Sequence, residues 1–529
     1  MKAPTTLLLT SAVAALAQNT TNTTTLSWGP CDGLPKNESS TYQCATLPVP
    51  LDYALPLSAN NTLTLNLLKF PAPKQPSKGS VLFNPGGPGD SGRTALVQAN
   101  GQLAAIVSAY TAFQHDIITW DPRGTGTTLP AVCFANQASR QLVLDRIPYI
   151  TSSNFDAAAR TGFGVAGSLA SACGVALEGT GTLLGSAYVA RDMVRTWEAL
   201  GEGGGLRYYG ASYGTALGQI FAAMFPEKVE RMVLDGVLNP HEYVAGEDYQ
   251  QLASTDAVFE GFLSACLSRP TECPLAARST STKNLKQQFD EGLKYLESNP
   301  FSYGPSPAEY ITASALEQTI IQALYAPSGW ATLAANIDAV ISRNVSALAA
   351  IAAAAPVPPP PPFNDQSQEE SIPSIRCSDV TLRVDDVEQV LPIAKTLLDQ
   401  SPQLGSYVLT AQPLLCSQWP FVAKERYTGD FNVSTRNPIL FVGNVFDPIT
   451  SLDAARNASA TFQGSRLLVH EGYGHTSEMQ LSKCTIDAVA EYFLNGTLPA
   501  EGTVCRPDVP IFASVEELVD VQKRLLLPS

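Results

Sequence analysis

Short runs of uninterrupted apolar residues recur along the chain, each ending in a polar or glycine-rich turn. Residues 80–84 (SVLFN), 116–120 (DIITW), 206–209 (LRYY), 231–235 (RMVLD), 438–442 (PILFV) and 465–470 (SRLLVH) share this form. Strands buried on both faces of a mostly parallel sheet read this way, because neither face offers a place for polar side chains. Residues 61–70 (NTLTLNLLKF) alternate instead and predict an early antiparallel hairpin strand. Helical spacing appears at 188–200 (YVARDMVRTWEAL) and at 483–493, the last helix expected. Together these patterns predict an α/β chain with helices covering a central sheet.

The rhythm fails between about 240 and 436. Nearly 200 residues there separate two neighbouring strands, far more than a crossover needs. The interval is rich in helix formers and carries AAAAPVPPPPPF at 352–363, whose prolines (356–362) read as an exposed, semi-rigid linker. The expected organisation is a leader at 1–17, a first core part at 18–239, a helical cap at 240–436, and a second core part at 437–529. No internal repeat is visible.

Chemistry enters at 206–215 (LRYYGASYGT), which sets Ser212 in a G-x-S-x-G frame. A β-prone run precedes it and a helix-compatible run (215–225) follows, the strand–turn–helix context of a nucleophile elbow. Gly210 and Gly214 leave room where a Cβ would clash at so tight a turn.

A serine needs a base, and the chain has four histidines. His115 and His241 flank apolar runs and His470 ends one. His475 lies in a glycine-rich loop (EGYGHT) beyond the last strand, where it can reach the carboxyl edge of the sheet. The loop after 438–442 reads GNVFDP, making Asp447 the candidate acid that orients the imidazole. An Asx-turn before Pro448 is the structural alternative for Asp447, and both roles are compatible. Asp453 stands in reserve. The oxyanion hole is expected from the Tyr213 N–H and a glycine of NPGGPG (84–89), Gly87 in first place, since Pro88 has no N–H. Arg123, in the DPRGTG turn, is expected to stiffen that loop through an ion pair. GEGGG (201–205) precedes a strand rather than opening a helix, so it is a turn and not a phosphate cradle.

Composition decides the compartment. Residues 1–17 have a basic start, an apolar stretch and an A-L-A end, the form of a secretory signal too short to span a bilayer. Eight N-x-[ST] sequons, at Asn19, Asn22, Asn37, Asn60, Asn344, Asn432, Asn457 and Asn495, fit exposure to glycosylation. Ten cysteines in an oxidising compartment imply disulfides. Neighbour pairing is the expectation, namely Cys31–Cys44, Cys133–Cys173, Cys266–Cys273, Cys377–Cys416 and Cys484–Cys505. No zinc motif is present, and neither metal nor cofactor is expected. The net charge of −15 disfavours nucleic acid and anionic membranes as partners. A secreted monomer acting on a small substrate is expected.

With these residues in place the chain resembles α/β-hydrolases of the prolyl aminopeptidase-related group, and within it the secreted tripeptidyl aminopeptidases. FNPGGPG (83–89), WDPRGTG (120–126), GASYGTALG (210–218), FPEKVERMVLDGV (225–237), IRCSD (375–379), GNVFDPIT (443–450) and GYGH (472–475) carry the resemblance. It implies a metal-free Ser–Asp–His serine hydrolase, with the roles falling on Ser212, Asp447 and His475, that cuts short peptides from a free N-terminus. The related enzymes place His before GGPG, whereas Asn84-Pro85 stand here, a change expected in the outer contacts of the loop. A substrate ammonium needs a carboxylate partner. Glu242 and Glu247 are the candidates, with Asp248, Asp256 and Glu260 nearby and no spacing to choose among them. The alternative function is a carboxylesterase or other small-acyl hydrolase with the same triad. A non-catalytic binding module would require a broken triad.

Overall fold

The computed structural model describes residues 25–34, 41–305, 309–355, 368–402, 404–405 and 410–527. The leader, Asn19, Asn22, Asn37 and the proline run lie outside them. Among the described residues, eleven strands follow in chain order: β1 (Gln43–Val49), β2 (Leu63–Phe70), β3 (Ser80–Asn84), β4 (Asp116–Trp120), β5 (Leu206–Ala211), β6 (Val229–Asp235), β7 (Phe301–Ser302), β8 (Tyr310–Ile311), β9 (Leu440–Phe446), β10 (Arg466–Tyr473) and β11 (Val504–Cys505). Nine of them form one sheet in the order β1-β2-β4-β3-β5-β6-β9-β10-β11. Pairing is antiparallel at β1/β2 and β2/β4 and parallel from β4 through β11.

Alternation along the central strands explains their apolar sequences. In β3, Leu82 enters one core with Ile118, Tyr208 and Met232, while Val81 and Phe83 enter the opposite core with Ile117, Tyr209 and Val233. The first face is covered by helices Ser186–Leu200, Tyr213–Met224 and Leu452–Thr461, the second by Gly92–Tyr110 and Lys483–Asn495. A strand buried on both faces has no polar period, which is why these runs read as continuous.

Among the described residues of the long interval between β6 and β9, regular structure is helical apart from the β7/β8 pair. Helices Thr255–Ser268, Thr282–Ser298, Ala313–Leu324 and Trp330–Ile341 bury their own core around Phe259, Phe262, Phe289 and Trp330. A second cluster joins residues 377–421 of the interval to helix Phe155–Ala176, which precedes β5 in the chain. The cover over the sheet is therefore built from both sides of the nucleophile strand. The five disulfides join Cys31–Cys44, Cys133–Cys173, Cys266–Cys273, Cys377–Cys416 and Cys484–Cys505. Asn60, Asn344, Asn432, Asn457 and Asn495 are all exposed. Among the described residues no helix is long and apolar enough to cross a membrane.

Arg123 is wholly buried and its fork grips Asp192, Nε to Oδ2 at 2.7 Å and Nη2 to Oδ1 at 2.9 Å. Its remaining donors meet the Pro50 and Leu51 carbonyls. The turn after β4 is thus tied to the helix before β5. Removing one partner strands a buried charge, so Arg123→Met is expected to lower stability by about 3–5 kcal/mol. Replacing both partners, as in R123M/D192L, should recover a large part of that loss in denaturant unfolding.

Candidate active site

Strand β5 runs directly into helix Tyr213–Met224, and Ser212 between them has φ 55° and ψ −124°. A non-glycine residue in this region is strained and is held only where its surroundings dictate it. Here the Ser212 N–H donates to the Asp235 carbonyl at 2.9 Å, and its own carbonyl accepts the Thr215 hydroxyl at 2.6 Å. Gly214 is required because a Cβ there would stand 2.6 Å from the Asn84 carbonyl. Gly86, at φ 113°, faces the elbow so closely that a Cβ would lie 2.7 Å from Ser212 Cβ and 3.2 Å from the Tyr213 nitrogen. Its N–H donates to Asn84 Oδ1 at 3.0 Å, so Asn84 shapes the loop from within. Gly87 lines the cavity that also holds Ser212.

Asp447 and His475 come together from neighbouring loops. His475 Nδ1 is 3.1 Å from both Asp447 oxygens. Asp447 has no solvent exposure and takes further donors from Ile449 N (2.9 Å), Thr450 N (2.8 Å), Thr450 Oγ1 (2.7 Å) and Thr476 N (2.9 Å). The bonds from residues 449 and 450 are the Asx-turn, so one carboxylate both shapes its own loop and holds the imidazole. Burial works to raise the Asp447 carboxyl, but the charge and hydrogen bond of His475 and the surrounding N–H donors outweigh it and hold it below 3.8. Burial likewise opposes the imidazolium of His475, and is overcome by Asp447, with Asp235 and Glu478 adding, so that its pKa stands above 6.5.

The cavity beside Ser212, partly open to solvent, spans about 400 Å³. Thr450 lines it and lies 3.2 Å from His475 Nδ1. Tyr325, from the helical interval, lines it too; its ring meets His475 edge-on at 4.9 Å and its carbonyl accepts the His475 N–H at 2.8 Å. The far wall holds Asp248, Arg376, Gln412, Gln251 and Tyr243. Arg376 donates to Asp248, to the Tyr243 carbonyl and to Gln412, and its guanidinium stacks 3.7 Å over the Tyr243 ring.

Other sequence candidates sit elsewhere. His115 is buried with Nδ1 at Thr111 O, His470 is buried against Thr485, and His241 packs on Phe431. Asp453 pairs with Arg456 on the exposed side of helix Leu452–Thr461. Glu242 accepts the Gln250 N–H at 2.8 Å, Asp256 accepts Ser401 Oγ, and Glu260 is exposed. Of the five carboxylates at the start of the interval, Asp248 is the one in the cavity wall, while Glu242 and Glu247 are outside it. Sequence reasoning missed Thr450, Tyr325 and the role of Arg376. The first had a signal, lying three residues after Asp447 where an Asx-turn brings it back. Among the described residues no group of three or more His, Cys, Asp or Glu could hold a metal ion.

The arrangement suits nucleophilic chemistry. A strained serine stands at a helix N-terminus, with the Tyr213 N–H next to it in the chain, and a buried histidine oriented by Asp447 lies in a loop at the same sheet edge.

Comparison with known proteins points to the same chemistry. Residues 79–330 match a family model described as alpha/beta hydrolase fold, and residues 401–505 one described as TAP-like protein. Serine protease Hip1 of Mycobacterium tuberculosis is 26% identical over 475 residues, covering 87% of this chain and 87% of its own length. Tripeptidyl aminopeptidase of Streptomyces lividans is 27% identical over 476 residues, covering 88% and 84%. Carboxylesterase B of Mycobacterium tuberculosis is 28% identical over 501 residues, covering 91% and 90%.

Two outcomes follow from this geometry. Thr450→Val removes one hydrogen bond to a buried carboxylate and should cost roughly 1.5–3 kcal/mol, read as a slower reaction of Ser212 with a neutral fluorophosphonate. The imidazole must be neutral to accept the serine proton, and its pKa is raised above 6.5. The reaction rate in the unmodified chain should therefore fall as pH drops through a value above 6.5, and an inflection below 6.5 would contradict the carboxylate environment described.

Proposed function

The chain is an α/β-hydrolase of the tripeptidyl aminopeptidase-like group, and from that premise we propose that it is a secreted serine exopeptidase. It hydrolyses peptide bonds near the free N-terminus of oligopeptides. Ser212 attacks the carbonyl, and His475 takes its proton and returns it to the leaving amine. Asp447 fixes the tautomer and stabilises the imidazolium. The N–H groups of Tyr213 and Gly87 hold the oxyanion, and water then releases the acyl-enzyme. The leader at 1–17, the sequons and the five disulfides support export.

The observation that carries the reading is the buried His475–Asp447 pair beside the cavity that contains Ser212. Glu242 and Glu247 lie outside the wall of that cavity, so Asp248 is the carboxylate offered to a substrate ammonium. Arg376 engages its Oδ2, which leaves Oδ1 for the ligand. Two observations favour the second reading, a carboxylesterase with the same triad. Asp248 is already charge-paired with Arg376, and the relative named Carboxylesterase B spans as much of the chain as the peptidases do.

The test compares unmodified protein with Ser212→Ala on free-amine tripeptide, single-residue and N-acetylated tripeptide anilides, beside short-chain nitrophenyl esters. The exopeptidase reading expects turnover of the free tripeptide anilide, a loss of at least about tenfold on acetylation, and no turnover by S212A. Turnover of esters alone moves the assignment to the esterase. Full activity in S212A would remove Ser212 from the mechanism.

A further inference from the structure

Behind His475 lies a second buried carboxyl pair that the triad does not use. Asp235, at the end of β6, is fully buried. Its backbone carbonyl accepts the Ser212 N–H at 2.9 Å. Its carboxyl group reaches the histidine loop: Ser477 N donates to Oδ1 at 3.1 Å and Ser477 Oγ to Oδ2 at 2.5 Å. The Tyr209 hydroxyl donates to Oδ2 at 2.9 Å, and the Tyr110 hydroxyl meets Ser477 Oγ at 2.8 Å. One residue therefore touches the nucleophile with its backbone and the loop of the base with its side chain. Three donors and no acceptor surround the Asp235 oxygens, as suits an ionised group.

Glu478 follows at the next position. It is 7% exposed, with Oε1 buried and unpartnered among the described residues and Oε2 3.4 Å from Thr476 Oγ1. An ionised carboxylate left with so few donors would cost several kcal/mol. The groups that face this corner are Asp235 from β6, Asp447 from the loop after β9, His475 itself, Tyr209 from β5 and Tyr110 from helix Gly92–Tyr110. Among these neighbours His475 alone can carry positive charge.

We propose that Asp235 and Glu478 are positioning residues for the His475 base: ionised Asp235 ties the Ser212 turn to the histidine loop and supports the imidazolium, while Glu478 works as a neutral acid. The proposal rests on reading Ser212, His475 and Asp447 as the triad. Burial is the largest influence on both carboxyls. It lifts Asp235 to about 6 against its hydrogen bonds from Ser477 and Tyr209, and with the charge of Asp235 it lifts Glu478 to about 8. Near neutral pH the corner therefore holds two carboxylates and one carboxylic acid around the imidazole. Above pH 8 ionisation of Glu478 sets a third negative charge beside the first two and loosens the loop they hold.

The experiment measures the rate of Ser212 inactivation by a neutral fluorophosphonate from pH 5 to 9.5, a probe with no ionising group of its own. A free-amine substrate is unsuitable because its ammonium loses its proton at about 8. In the unmodified chain the rate should fall above pH 8. Asp235→Asn removes a charge that stabilises the imidazolium, so its acid limb should move down by about half a pH unit or more. Its plateau rate should drop at least about tenfold, with Asp235→Glu recovering part of it. Glu478→Gln, isosteric with the neutral acid, should lose the alkaline limb. If D235N does not fold, E478Q alone decides. An alkaline limb kept at the same pH in E478Q overturns the proposal, as does a D235N acid limb that stays in place. Failure of the unmodified chain to label, or labelling in S212A, would instead sink the triad reading itself.

Discussion

A carboxylate with no access to water must be met by donors from the chain, and Asp447 is such a group. Ile449, Thr450 (through both N–H and hydroxyl), His475 and Thr476 all turn toward it. That demand fixes two loops at once. The loop after β9 folds back on itself so that residues 449 and 450 can donate. The loop after β10 is drawn in so that residues 475 and 476 can do the same. Parallel strands deliver both loops to the same edge of the sheet, where the β5 elbow also ends. The placement of the histidine at this edge of the sheet follows from satisfying one buried charge. Geometry of this kind is pre-organised, since nothing must reorient when the imidazolium forms.

The helical interval is part of the same construction rather than a cover laid on it. Tyr325 supplies the carbonyl for the His475 N–H and presents its ring to the imidazole. From the other side, helix Gln368–Asp379 sends Asp379 to Ser186 N and Oγ and to the Tyr243 hydroxyl, while Ser186 Oγ meets the Tyr213 hydroxyl at 2.6 Å. Tyr213 is the residue whose backbone N–H stands next to the nucleophile. Both the proposed base and the proposed oxyanion side are thus braced by residues inserted between β6 and β9. A movement of these helices that opened the cavity would also release contacts to His475 and Tyr213, so access and competence are coupled.

The central strands and the strand–turn–helix around Ser212 were legible because each has a local signature, and Asp447 and His475, singled out from their loops, do come together. The apolar runs at 80–84 and 116–120 match β3 and β4, and the glycines flanking Ser212 announce a turn that only small residues permit. The boundaries drifted where tertiary pairing extends a strand. Strand β10 continues to Tyr473, past the polar His470 and Glu471, because it pairs with β9 through a register shift. Strands β1 and β11 gave little warning, one carrying Pro48 and the other two residues long. The missed site residues share a physical cause. Tyr325 and Arg376 reach the site through contacts at sequence separations that no local pattern encodes, as Asp235 does in the proposed arrangement. Asp235 in particular looks like the ordinary polar end of a strand.

The charge of the cavity wall bears on the substrate. Arg376 lies between two buried carboxylates, Asp248 in direct contact and Asp379 through the Tyr243 ring and hydroxyl. Asp379 is ringed by donors, two from Ser186 and one from Tyr243, the environment of an ionised group. Asp379 stands behind the cavity wall, which itself holds Asp248 paired with Arg376, and burial works to raise both carboxyls. A buried carboxyl gains from a second cation. Under the proposed exopeptidase reading a free peptide N-terminus would bring that cation to Asp248, whereas a neutral acyl ester would not. Arg376 has a second effect: by engaging Oδ2 of Asp248 it orients that carboxylate. In the proposed exopeptidase the ammonium would then meet a single oxygen at a fixed place relative to Ser212, and the distance between the two would set how many residues lie between the amine and the bond that is cut.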